Sequence, residues 1–153
     1  MAADAWVIHD KFKEYLGDGT IDMDGDAFKM ALFLSTSNIA TTSIDGLAAA
    51  TNQVANQVAN GLGYTTGGEA VVSPTWVEAA GTVTFDCVDQ VWTAAGGSIV
   101  ARFAGIYDDT VTTPVADPIV CHSLLDNTPA DVTATDTNTL TIAINASGVF
   151  TIS

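Results

Sequence analysis

The chain has 153 residues, 48% of them apolar, and sets eighteen acidic side chains against four basic ones, for a net charge of −14 and an isoelectric point near 4.1. That length fits one domain, residues 1–153, able to remove roughly two-thirds of its unfolded surface from water. The charge repels phosphate backbones and argues against nucleic acid, and neither a long apolar run nor a basic leader points to a membrane span or a signal peptide.

Residues 4–16 place Ile8, Phe12, Tyr15 and Leu16 at helical spacing, with Asp10, Lys11, Lys13 and Glu14 mostly opposite. This predicts one short amphipathic helix, capped by Asp4 and stopped by Gly17-Asp18-Gly19. Its apolar stripe suits packing on a sheet, or docking on a neighbouring subunit. Thr20–Met23 and Ala27–Ser35 read as strands, the second apolar on both faces: Phe28, Met30 and Leu32 on one, Ala31 and Phe33 on the other. Residues 36–69 are small, polar and rich in Gly, Asn and Thr, with Leu47, Val54 and Val58 as sparse apolar anchors. A tandem Gln-Val-Ala-Asn echo at 53–60 could form a helical turn with Val54 and Val58 on one face.

The second half is strand-like throughout. Gly68–Ser73 leads to Pro74. Val83–Asp108 reads as a core hairpin turned at Ala94-Ala95-Gly96-Gly97, with Val83, Phe85 and Cys87 alternating against Thr82, Thr84 and Asp86. Ser98–Tyr107 is apolar on nearly both faces, as in a central strand covered twice. Ile119–Leu125, Thr139–Asn145 and, after Ala146-Ser147-Gly148, Val149–Ile152 complete the series. The pattern predicts an all-β, mainly antiparallel fold, a β-sandwich or jelly-roll-like barrel with one short N-terminal helix.

The chemistry-bearing residues form no recognisable catalytic pattern. Asp22-x-Asp24-x-Asp26 has the opening of a calcium loop, but Ala27 stands where the turn glycine belongs and Phe33 where the bidentate glutamate belongs. The pair Asp108-Asp109 has the same solvated-turn reading. His9 and His122 are the only imidazoles; on a strand, His122 and Ser123 point to opposite faces and form no triad with Asp126. The expectation is no catalytic residue, cofactor or metal. Cys87 and Cys121 lie in apolar runs and read as free thiols. Asn145-Ala146-Ser147 matches a glycosylation acceptor sitting in a turn. Trp6, Trp76 and Trp92 suit core or interface anchors, or a glycan surface. Arg102 interrupts an apolar strand and should meet a carboxylate or lie at a subunit contact. Trp6, Phe12 and Arg102 are therefore the candidate interface residues.

The stretches FKEYLGDGTIDMDGDAFKMALF, NGLGYTTGGEAV, TFDCVDQVWTAAGGSIVARFAGIYDD and SLLDNTPADVTATDTNTLTIAINASGVFTIS together resemble a family of small virion structural proteins of tailed bacteriophages. The resemblance implies a non-enzymatic virion component made in the host cytoplasm. Its fullest form is a capsid decoration or cement protein on the outer capsid surface, partnered with the major capsid protein and assembled as a homotrimer. A tail or neck ring component, or a carbohydrate-binding module displayed on the virion, are the competing expectations.

Overall fold

The computed structural model describes residues 3–153. Strands hold 36% of the chain and helix 6%, and the sheets are antiparallel with one short helix, so the all-β, sandwich-like reading holds. In chain order the elements are β1 (Val7–Ile8), α1 (Asp10–Asp18), β2 (Phe28–Phe33), β3 (Glu69–Ala70), β4 (Thr75–Ala79), β5 (Thr82–Asp86) and β6 (Gln90–Thr93). They continue with β7 (Ile99–Ala101), β8 (Phe103–Asp108), β9 (Ile119–Leu124), β10 (Val132–Ala134), β11 (Thr139–Ile142) and β12 (Phe150–Ile152).

A five-stranded sheet in the order β1-β9-β8-β2-β3 forms the base. Its middle strand, β8, holds the second half of the Ser98–Tyr107 run expected as one central strand, and is covered on both faces; the run breaks at Arg102, and its first half is β7, outside this sheet. The hairpin expected within 83–108 does not form. Instead β8, β7, β6 and β5 pair in turn with β9, β10, β11 and β12. Residues 82–108 and 119–152 are thus the two arms of one long antiparallel ribbon, and its true turn is 109–118. The predicted turn at 94–97 is only an interruption, where Gly96 N–H bonds the Asp136 carboxylate across the ribbon. Alternation fixes which face a residue takes, but not which strand lies beside it.

The ribbon bends at Arg102, between β7 and β8, so that its distal part covers the base sheet. Phe28 of the base meets Phe85 of the ribbon at 5.6 Å, and Phe85 meets Phe150 at 5.4 Å. Met30, Leu32, Ala104, Ile106 and Val120 face Trp92, Ile99, Leu140 and Ile142 in the same buried cluster. Each fully buried large side chain there contributes about 1.5–3 kcal/mol of transfer free energy.

The opposite face of the base sheet is covered by chain without regular structure. Ala31, Phe33, Tyr107 and Ile119 pack under Ile39, Ile44 and Val54 of the 36–60 segment. The helical turn expected at 53–60 is absent, because this stretch runs extended beside β2: Val58 N–H bonds Leu32 O and Leu34 N–H bonds Asn56 O. Val54 and Val58 consequently enter different apolar clusters.

The N-terminal helix begins later than the spacing suggests. Val7 and Ile8 pair with His122 and Cys121 as an edge strand, so the helix starts at Asp10 with His9, not Asp4, at its cap. Gly19, at φ 78°, ends it, with Gly17 and Asp18 still inside. Thr20–Met23 is a turn rather than a strand. Asp22 N–H bonds the Asp26 carboxylate and Asp26 N–H bonds Asp22 O, an alternative to ladder pairing that aspartate side chains favour.

Candidate functional site

A recess lies where the two ends of the described chain meet. Residues 3–6, β1, the end of β9, and 141–151 enclose a groove of about 1020 Å³. Both flanking strands are edges, β1 of the five-stranded sheet and β12 of the three-stranded sheet, so the sandwich stays open here. Trp6, Ile8, Leu125, Ile142, Val149 and Phe150 supply its apolar surfaces, and Asp4, Thr141, Asn145, Ser147 and Thr151 its polar ones. Among the described residues Asp4 is the one charged side chain in the lining.

The rim is locally determined. Asn145 accepts Ser147 N–H through its side chain and Gly148 N–H through its carbonyl. Asp89 holds Ile144 N–H from the ribbon's other arm. Gly148 sits at φ 86°, and a Cβ there would come within 2.7 Å of Phe85 O, so only glycine lets this turn lie against β5. On the opposite wall Ser123 Oγ donates to Asp4 O and Asp4 N–H bonds Leu124 O.

A second surface runs along the outside of the ribbon. The residues alternating with buried Phe85, Trp92, Leu140 and Ile142 form the cross-strand pairs Val77–Thr84, Thr84–Thr151, Ala79–Thr82, Val91–Thr141, Thr93–Thr139 and Val100–Thr133. Thr75–Asp86 adds the one charge. Val77 and Val91 are 57% and 48% exposed, and Val88 N–H bonds Val72 O, setting two more exposed valines side by side. In a chain with eighteen acids this Thr/Val face is nearly free of charge.

The candidate interface residues have different fates. Phe12 is 0% exposed and packs edge-on against Phe150 at 5.7 Å, so the helix stripe is core of this chain and Phe12 offers no contact surface. Trp6 is half-buried and lines the groove. Arg102 meets a carboxylate as expected: Nε lies 2.8 Å from Asp131 Oδ1, joining the bend of the ribbon to the loop opposite. Trp92 is 2% exposed and Trp76 half-buried against Phe150, which leaves Trp6 as the tryptophan at the recess. Cys87 and Cys121 are free, and burial pushes the Cys87 thiol up to about 11, far from the thiolate that chemistry needs. Among the described residues no group of three His, Cys, Asp or Glu side chains is arranged to hold a metal.

Two buried titratable contacts were not visible in the sequence. His9 Nε2 lies 3.0 Å from His122 Nδ1, while His9 Nδ1 lies 3.3 Å from Ile44 O. A carbonyl can only accept, so neutral His9 donates through Nδ1 and receives the His122 Nδ1–H at Nε2. Desolvation lowers both, His122 to about 4 with its neighbour's charge adding to the effect. The pair ties the junction of β1 and α1 to β9 beneath the 36–60 segment. Asp108, also fully buried, accepts Thr110 and Val111 N–H on Oδ1. Burial, with Asp26 beside it, raises it to about 6. The acidic turn at 22–26 and the Asp108-Asp109 pair thus meet in space, 83 residues apart at the Ala27 N–H to Thr110 Oγ1 bond.

No family model, curated protein or solved structure matches this chain.

Proposed function

We propose that this chain is a structural component of a tailed-phage virion, and specifically a decoration protein that binds the assembled major-capsid lattice. The observation that carries the reading is the Thr/Val face of the ribbon, an exposed surface almost without charge on a body of charge −14. An acidic protein approaching a repeated surface loses least to desolvation and repulsion where it presents no carboxylates. Hydroxyl and methyl groups on a pleated surface, stiffened by β-branching, suit a large contact with little ordering cost. The resemblance in sequence supplies the class of partner, and a homotrimer is the proposed assembly. Binding the assembled lattice in preference to free subunits would stabilise the shell by mass action.

Co-sedimentation of the purified protein with mature capsids of the phage that encodes it tests the proposal. Wild-type protein should pellet with capsids, and V77D/T84D, which alters only exposed or half-exposed outward positions, should lose at least about tenfold in affinity while keeping its circular dichroism. Association with tails or necks instead would transfer the protein to a ring component. Association with neither would overturn the virion reading.

A further inference from the structure

We propose that the groove between β1 and β12 is a binding site for a neutral saccharide, with Trp6 as its stacking wall and the Asn145–Gly148 turn as its hydrogen-bonding rim. Three observations converge. The first is shape: about 1020 Å³, open on one side, lies at the upper end of the range for small-ligand sites and accommodates a short oligosaccharide rather than a single sugar.

The second is charge. Eighteen acids are distributed over this chain, yet among the described residues Asp4 alone of them lines the groove. A site for a cation or a basic peptide would concentrate carboxylates here, and a site for an anion would need the arginine or lysine that the lining lacks. What remains is a neutral ligand.

The third is chemistry. Among the described residues the Ser147 hydroxyl and the Asn145 amide nitrogen make no hydrogen bond, and both residues line the groove together with Trp6 and Phe150. Hydroxyl and amide groups that both donate and accept match the hydroxyls of a sugar. An indole presents a flat π surface to its axial C–H face. A purely apolar ligand would strand these polar groups. An extended peptide would be read mainly by backbone pairing, whereas β1 offers an edge only two residues long. The turn is held by Gly148 and by Asp89 from the other arm, so the rim is set before any ligand arrives.

This inference does not rest on the capsid reading: a decoration protein could bind its lattice with or without a sugar site, and each is tested separately. The experiment screens the full-length protein on a printed array of bacterial and host glycans, then titrates the strongest soluble oligosaccharide by calorimetry. Wild-type protein should bind neutral glycans, with an affinity unchanged between low and high salt because no ion pair forms. Trp6→Ala should lose at least about tenfold, Trp6→Phe should recover part of that loss, and Asn145→Ala should weaken binding with the fold intact. Asn145 is exposed, so that variant remains informative if Trp6→Ala fails to fold. An array with no glycan bound overturns the proposal. So does binding that ignores both Trp6→Phe and Asn145→Ala, or binding restricted to acidic or basic ligands and abolished by salt.

Discussion

The two faces of the five-stranded sheet are buried by opposite means. One is covered by the folded-over ribbon and helix, strand against strand, with Phe85 in contact with both Phe28 and Phe150. The other is covered by residues 36–60, whose main chain makes isolated bridges and turn bonds in place of a regular ladder. There polar side chains satisfy further main-chain groups. Asn38 donates to Gln53 O and accepts Ala55 N–H, Ser37 donates to Ala55 O, Asn56 to Thr36 O, and Gln53 to Leu47 O. Asn52 likewise donates to Ser43 O. The composition that looks least orderly in sequence therefore orders the segment, and a small apolar cluster is enough to seat it.

The largest effect should come from the ribbon face. Phe85→Ala empties a site between two other phenylalanines and should cost about 3–5 kcal/mol in denaturant unfolding, enough to threaten the whole fold. On the other face Gly105→Ala sharpens the contrast, since a Cβ there would lie 2.4 Å from Ile39 Cδ1. It should cost about 1–3 kcal/mol, and hydrogen exchange should quicken in 36–60 while β5, β6 and β11 stay protected. Equal loosening of both faces would show that the segment is not a separable cover. Asn38→Ala removes two main-chain partners at once and should cost about 1 kcal/mol, again read as faster exchange confined to 36–60.

The subtlest test uses pH, because each buried titratable pair pulls stability a different way. The histidines take up protons more readily unfolded, so their contribution is full above about 6.5 and falls away at lower pH, that of His122 being lost as pH falls toward 4. Asp108 holds its proton more tightly folded, so its contribution is present below about 4 and is lost as pH rises through about 6. The two slopes oppose each other between about 4 and 6. Asp108→Asn should leave stability rising more steeply with pH in that window, and His122→Gln should reverse the slope. Melting temperatures across the range decide it, and two unchanged profiles would refute the assignment.

Much of this architecture was legible. The inward and outward positions of β11, the double cover of β2 and β8, and the closing turn at Ala146-Ser147-Gly148 followed from alternation and from turn chemistry, although the strand expected to run to Asn145 ends at Ile142. Partner choice was not, because the periodicity of residues 83–108 is the same whether the segment folds on itself or pairs with 119–152. The helix start was displaced because Val7 and Ile8 suit an edge strand as well as a helix face, and β9 was there to pair with them. Arg102 announced its need for a carboxylate, whereas Asp131 had no mark of its own. The His9–His122 contact spans 113 residues and carried no local signal. The groove was legible only through Trp6, since its other wall is assembled by the ribbon's return.

Electron cryo-microscopy of the intact virion tests the functional account most directly. The account predicts density for this fold on the outer shell at local symmetry axes, with Val77, Thr84 and Val91 turned toward the capsid; density confined to the neck or tail, or the Thr/Val face turned outward to solvent, would contradict it.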